Sequence, residues 1–444
     1  MSAHVAVVGG GLAGLTAACD LSDGDVRVTL LEARNRLGGA TFSFQREGLT
    51  VDNGQHVLLR CCTEYRALLR KLGTADGIGM QRRFRMPVLT GGGAGAELAR
   101  TGGPVPLHLA AGIARYAALP VADRLRVFRA AAALRFLDPE DPALDRLSFG
   151  DWLERHGQND ATLRALWNLI AVAALNCDAS EASLALAVMV FRTALLDRAD
   201  AADIGVPALP LSELHVDPAE KYLLERGGHI RTRSPVRAIR RQGSGFAVEL
   251  DGEVLDVDGV VMAAPPDAAA RVCPREAGLD PDRLGKLGSA PIVNVHVVYE
   301  RPVTELPFAA TVSPSPVQWI FDRTAVAGLE SGQYLTVSLS AAHRWLDTPV
   351  PEMREIFLPE LARLLPAAEN TPHRQFFVTR ERRATFRQGP GTAGLRPQAA
   401  TRLPGLALAG SWTATGWPDT MEGAVRSGHR AAGLVAGHVG GGAG

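Results

Sequence analysis

The 444-residue sequence predicts an α/β fold, a Rossmann-like nucleotide-binding domain interleaved with an α+β second domain. Three observations carry that expectation. A glycine-rich strand–turn–helix opens the chain, an acidic residue closes the next strand, and a strand ending in glycine leads into a helix near the C-terminus. In the first element, Val5-Ala6-Val7-Val8 is an apolar, β-branched run suited to a strand buried on both faces. Gly9-Gly10-Gly11-Leu12-Ala13-Gly14 follows. Gly9 permits the tight turn, Gly11 lets backbone approach a pyrophosphate, and Gly14 lets the helix pack close to the strand. The pattern predicts a helix over 12–21 whose first amides, at Leu12 and Ala13, point at phosphate. Val26–Leu31 is the predicted second strand. Glu32 at its end, 18 residues after Gly14, is placed to accept hydrogen bonds from a ribose hydroxyl. A glycine-rich turn before an ordinary core helix would leave Glu32 unexplained, so the pattern points to a dinucleotide.

The next residues select among dinucleotides. Glu32-Ala33-Arg34-Asn35-Arg36-Leu37-Gly38-Gly39-Ala40-Thr41 adds a second glycine pair, which lets backbone approach another part of the ligand. Near the C-terminus, Leu406–Gly410 reads as a strand ending in glycine. Ser411 and a loop lead from it to Thr420-Met421-Glu422-Gly423, a second helix start that would lie beside a ligand. This combination resembles the FAD-dependent amine oxidase and phytoene desaturase superfamily. The resemblance implies FAD as cofactor. It implies contacts from both glycine loops and from Glu32 through Thr41, with the Gly410–Glu422 segment meeting the flavin ring. Val236, within Gly227–Ile239, matches a position whose backbone meets the adenine side. More narrowly, Asp52–Leu59, Pro104–Leu109 and Thr413–Gly428 resemble the squalene-associated FAD-dependent desaturases, a family of hydroxysqualene dehydroxylases. There are departures: Ala40 stands where an Arg is usual, Ser411 where an Asp usually meets the ribityl chain, and Arg60 where a Gly is expected. The first two remove charged contacts, which predicts altered cofactor binding.

Composition sets bounds. Hydrophobic residues make up 46% and the formal net charge is zero, a globular profile without the basic excess that draws chains to nucleic acid. Five cysteines show neither metal-ligand spacing nor a disulfide framework. No metal site is therefore expected, and the adjacent Cys61-Cys62 reads as two thiols, since a vicinal disulfide needs a strained ring. The chain reads as reduced and cytoplasmic, without a signal peptide or transmembrane helix.

The expected organisation alternates between two domains. Residues 1–80, 216–270 and 395–444 build the FAD-binding domain; 81–215 form the mainly helical part of the substrate domain and 271–394 its sheet part. Met86–Thr90 reads as a strand, and Gly91–Ala96 after it as a hairpin loop, because Arg100, Gly102, Gly103 and Pro104 stop any helix. Val121–Leu137 is a predicted helix with arginines around an apolar face; it fits either an ordinary core-packed helix or peripheral contact with an anionic membrane. Ser148 reads as a helix cap. Leu163–Leu175 and Ala182–Leu196 read as two apolar helices able to wall a greasy cavity. Phe246–Leu250 and Glu253–Val257 flank an Asp-Gly turn and read as a hairpin. Ile292–Tyr299, Trp319–Phe321 and Tyr334–Ser340 are predicted strands.

The resemblance implies a lipophilic C30 isoprenoid substrate, hydroxysqualene, reduced to squalene with loss of an allylic hydroxyl. Hydroxide leaves poorly, so an acid or hydrogen-bond donor is required. Two residues are candidates. His56 titrates in the useful range, and desolvation would make Asp419 a proton donor. Each has a plainer reading, His56 as a hydrogen-bonded neighbour of the cofactor and Asp419 as a helix cap. Glu422 either positions the flavin or complements a helix dipole, and Trp412 and Trp417 either line the cavity or pack. Other readings are a carotenoid-type desaturase using oxidised FAD, an amine or protoporphyrinogen oxidase, and a non-catalytic flavin-binding partner of isoprenoid synthases. The absence of Cys and Lys after Lys286 disfavours an amine oxidase.

Overall fold

The computed structural model describes residues 2–91, 95–312 and 314–441. Strand β1 (Ala3–Val8), helix α1 (Leu12–Leu21) and strand β2 (Val26–Leu31) form where the glycine motif places them. They belong to a parallel five-stranded sheet ordered 229–231, β2, β1, 259–262, 406–408. Alternation along β1 buries both faces. Val5 and Val7 join Val261, Ala407 and α1 on one side, where the C-terminal helix Met421–Gly441 also packs. Ala6 and Val8 face Phe246, Val248 and Met262 on the other, under an antiparallel three-stranded sheet of 238–242, 245–250 and 253–257. Gly252, at φ +78°, turns the expected Asp-Gly hairpin.

A seven-stranded sheet, ordered 373–385, 290–299, 333–339, 319–322, 308–311, 85–89 and 95–99, forms the second centre. It is antiparallel except where 308–311 runs parallel to 85–89. Helix Val350–Leu364 buries Met353, Phe357 and Leu361 against Val295, Val297 and Val337 on one face. Strands 85–89 and 95–99 pair antiparallel from Arg85↔Ala99 to Leu89↔Gly95. Residues 92–94 of the loop expected between them lie outside the described residues.

The helical segment differs in detail from the sequence reading. Val121–Leu137 ends as a helix at Leu134. The two apolar helices are not uniform: Leu163–Trp167 and Arg192–Leu196 are π-helical turns, as is Ser212–Val216. Asn176 closes the first helix in the left-handed region at φ 51°. Its side-chain oxygen accepts the Ala341 N–H at 2.6 Å, and its amide nitrogen donates to the Ala290 carbonyl at 3.1 Å, tying helix to sheet. Ser148 caps the helix after it, its hydroxyl accepting the Asp151 N–H at 3.1 Å.

The two ends of the chain meet through glycine. A Cβ on Gly14 would lie 1.9 Å from the Gly9 carbonyl oxygen, and one on Gly428 would lie 2.5 Å from the Ala13 carbonyl oxygen. Helix α1 is thus pressed between its own turn and the C-terminal helix. Gly428→Ala is expected to cost about 1–3 kcal/mol by overpacking. Gly433→Ala, on the same helix but with open space around it, should gain up to about 1 kcal/mol of helix propensity. Urea midpoints moving in the same direction for both variants would refute this packing account.

Candidate FAD site

The first glycine loop leaves room that the protein does not itself use. Gly9 is constrained by the fold, at φ +111° with Ala263 O 2.7 Å from its would-be Cβ. Gly11 is not: a Cβ there meets only Gly39 Cα at 3.7 Å. Gly11 has no side chain to cap α1, and no acidic residue occupies the first turn. The helix therefore presents its opening amides at Leu12 and Ala13 with positive character, as an anion requires. The second loop packs directly on the first. Gly38 N–H donates to Gly10 O at 2.8 Å, and a Cβ on Gly39 would lie 2.8 Å from Gly11 Cα.

Glu32 sits at the junction, 9% exposed. Its carboxylate accepts the Gly10 N–H at 2.7 Å and the Arg34 N–H at 2.8 Å. A carboxylate offers about four lone-pair directions, so acceptor capacity remains for ribose hydroxyls. The Arg34 carbonyl accepts the Arg233 N–H at 2.8 Å, which brings the 232–237 loop alongside exposed Ala33 and Arg34. In that loop the Val236 amide and carbonyl take no hydrogen-bond partner among the described residues, while its side chain packs on the core. Ala40 is exposed and contributes its carbonyl to Asn53 Nδ2 at 2.9 Å. The Thr41 side chain turns inward. Its hydroxyl donates to the Gly38 carbonyl at 3.1 Å, so it shapes the loop rather than reaching outward.

The C-terminal loop completes the site. Gly410, at φ +134°, ends the last strand of the parallel sheet; a Cβ there would lie 2.3 Å from Trp412 Nε1. Its N–H donates to Ser427 Oγ at 2.7 Å. Thr420 caps the C-terminal helix, its hydroxyl accepting the Gly423 N–H at 3.2 Å. The amides of Met421 and Glu422 have no protein partner among the described residues, which makes this helix end a second cradle for electron-rich ligand atoms. Both glycine loops and this helix end meet around one parallel sheet, and the set suits FAD: phosphate at α1, ribose at Glu32, ring acceptors at the C-terminal helix.

Glu422, Asp419, Trp412 and Trp417 each had two readings in the sequence, and their contacts bear on both. The Glu422 carboxylate does not turn toward the loops. It accepts the Tyr65 N–H at 2.8 Å and the Glu64 N–H at 3.1 Å, capping helix Thr63–Lys71, and pairs with Arg426 Nε at 2.8 Å. Those free amides and the i,i+4 arginine satisfy a carboxylate that is itself fully buried. Asp419 is not the helix cap, a role Thr420 fills. Its N–H donates to Gln388 Oε1 at 2.9 Å and its carboxylate accepts the Phe386 N–H at 2.8 Å. Trp412 is core, donating to the Ala264 carbonyl at 3.2 Å, and Trp417 lies under the Arg426 guanidinium, 4.8 Å from its ring centre.

Asp419 and His56 are each half-buried. Burial raises the Asp419 pKa, opposed by a hydrogen bond from Ser411 and by the Arg396 charge. Burial also lowers His56, keeping it neutral. His56 Nδ1 lies 3.0 Å from the Gly54 carbonyl, an acceptor, so Nδ1 carries the proton and Nε2 presents a lone pair. His56 Nε2 is thus left as an acceptor, while desolvation favours the protonated form of the Asp419 carboxyl group.

Several side-chain partnerships had no signal in the sequence. Arg396 is buried, its pKa lowered to about 10 by desolvation, with Nη2 donating to Ser411 O and Thr415 Oγ1 at 2.9 Å each and Nε unpartnered. Asp52 pairs with buried Arg323 at 2.8 Å. Arg60, in place of the expected glycine, is held by Asp203 at 3.1 Å. His215 and Tyr65 are lone polar side chains in apolar surroundings; only spatial contact reveals their link to Thr41.

The flavin containing amine oxidoreductase family matches residues 12–436. Hydroxysqualene dehydroxylases from Sinorhizobium fredii and Rhodopseudomonas palustris are 31% and 32% identical, each covering 98% of this chain and 99% of the relative. Zeta-carotene desaturase from Zea mays is 25% identical, covering 98% of this chain and 83% of the relative. Among solved structures, putrescine oxidase bound to putrescine superposes with a TM-score of 0.71 at 22% identity, covering 98% of each chain. Cyclohexylamine oxidase from Brevibacterium oxydans gives 0.71 at 20%, covering 98% and 99%. The chain belongs to the flavin containing amine oxidoreductase family, and within it to the group of the hydroxysqualene dehydroxylases. It is an FAD-dependent oxidoreductase.

Asp419 gives a testable sign. Because its folded pKa is raised above the ordinary 3.8, the folded state holds this proton more tightly than the unfolded state. Its contribution to stability is full below that value and is lost as pH rises through the raised pKa. Asp419→Asn removes the loss, so its denaturation midpoint should exceed the wild type's near neutral pH and converge with it toward about pH 4. A difference independent of pH would exclude a raised pKa at this position.

Proposed function

We propose that the protein reduces hydroxysqualene to squalene, releasing the allylic hydroxyl as water. Full-length similarity to relatives named for that reaction supports this reading, and so does a desolvated carboxyl group beside the C-terminal cofactor loop. FAD, when bound and reduced, supplies the two electrons. The chain does the rest. The first glycine loop and α1 anchor the cofactor, and the C-terminal helix end orients its ring. His56 Nε2 accepts the substrate O–H and so fixes which carbon faces the flavin. Asp419 protonates the departing oxygen, converting hydroxide into water as leaving group. Ser411 and Arg396 limit how far burial raises its pKa. Arg396 lies 5.1 Å from the Phe386 ring centre, which helps wall that end from solvent.

An oily substrate needs a route from lipid, and the helical segment offers a surface for it. Val121, Leu125 and Phe136 face outward along one side of helix 121–134 and its end; Phe136 is 85% exposed. Exposed Arg129 and Arg135 flank them on the same stretch, and Asp123, Val127 and Leu134 face the core. This is the arrangement of a helix that lies on an anionic bilayer. No described helix is long and apolar enough to cross a membrane.

The direct test is anaerobic incubation of purified protein, FAD and a reductant with hydroxysqualene. Squalene should accumulate; an unchanged substrate, or a more unsaturated product formed with oxidised flavin, would sink the reading in favour of a desaturase. Co-sedimentation tests the surface: binding to phosphatidylglycerol vesicles should fall at least tenfold in Leu125→Ser/Phe136→Ser, while equal binding would remove this face as the contact.

A further inference from the structure

A buried polar chain runs from the second glycine loop to the start of the C-terminal helix, and none of the contacts assigned to FAD requires it. Thr41 O–H donates to the Gly38 carbonyl at 3.1 Å, so Thr41 Oγ1 accepts from His215 Nε2–H at 3.0 Å. Burial lowers the His215 pKa to about 3, so the ring is neutral and its Nδ1 carries a lone pair. That lone pair accepts the Tyr65 O–H at 3.1 Å. The Tyr65 N–H in turn donates to Glu422, whose residue stands in the first turn of the C-terminal helix. With the Thr41 hydroxyl donating to Gly38, one His215 tautomer satisfies every link, and Thr41, Tyr65, His215 and Glu422 are all buried. The chain joins positions separated by 174, 150 and 357 residues.

Packing alone does not call for such an arrangement. Buried polar groups stabilise little beyond an apolar core of the same shape, but they specify geometry strongly when all are satisfied. What this one specifies is the loop at Gly38, φ +95°, and Gly39, φ +57°, where no regular secondary structure would otherwise hold the backbone. His215 itself stands on a π-helical turn, Ser212–Val216, a local departure from the α-helix often retained where a side chain must be aimed.

We propose that His215 is a positioning residue for the flavin: through Thr41 and Tyr65 it holds the Gly38–Thr41 loop and the amino end of the C-terminal helix at the separation the cofactor spans. This rests on both segments facing FAD. Thr41→Val and Tyr65→Phe are close to isosteric and each removes one link. Each should weaken FAD binding about tenfold, or ~1.4 kcal/mol, and shift the midpoint potential and absorption maxima of the bound flavin. Because both break one chain, the double variant should lose less than the product of the singles. His215→Leu should match the double variant, and His215→Gln, which keeps a donor toward Thr41, should recover part of the affinity. Reduced thermal stability with unchanged FAD affinity, potential and spectrum would make the chain mere packing and overturn the proposal; so would strictly multiplicative losses. Gly11→Val separates this from the siting of FAD. If it folds and retains flavin normally, the cofactor's placement fails; if it loses flavin while Thr41→Val and Tyr65→Phe behave as wild type, only the proposal about His215 fails.

Discussion

Backbone meeting backbone without an intervening side chain is the constraint on which this structure depends. Helix α1 sits against its own preceding turn at Gly14 and against the C-terminal helix at Gly428, with carbonyl oxygens where any Cβ would have to go. Larger residues would push the two helices apart and carry the last strand, 406–408, away from its neighbour at 259–262. Since that strand ends at Gly410, the close approach at Gly428 also sets where the C-terminal loop stands relative to the first glycine loop. Helix packing and site geometry are therefore one problem here.

The chemistry follows from what the backbone leaves unpaired. Two helix ends, at Gly11 and at Thr420, open toward the same end of the sheet, and both hold amides without a partner among the described residues. Side chains then adjust the surroundings. Glu32 braces the first loop through backbone amides and retains acceptor capacity. His56 offers a lone pair because the Gly54 carbonyl claims its proton. Asp419 is desolvated but tempered by Ser411 and Arg396.

Legibility in the sequence tracked the range of the interaction. The β1–α1–β2 unit could be read closely, the helix and second strand to the residue and the first strand two residues short at its start, because its determinants are local: a β-branched apolar run, glycines at fixed offsets, an acid at the strand end. The hairpin at Gly252 and the Ser148 cap were readable for the same reason. The π-helical turns were not, since their residues fit an ordinary amphipathic pattern. Side-chain roles were harder still. Glu422 lies in a recognisable motif, yet its carboxylate belongs to a helix 357 residues away in sequence. His215, Tyr65 and Arg396 gain meaning from partners that no spacing rule brings together.

The parallel sheet takes its strands from residues 3–8, 26–31, 229–231, 259–262 and 406–408. A ribosome must therefore release the chain through residue 408 before the outermost strand can dock. Until then the nascent chain carries a half-finished ledge with an open edge, of the kind that invites aggregation. The pocket for the prosthetic group is among the last features to come into existence during synthesis, and flavin supply in the cell would act on a folding intermediate as much as on a finished catalyst.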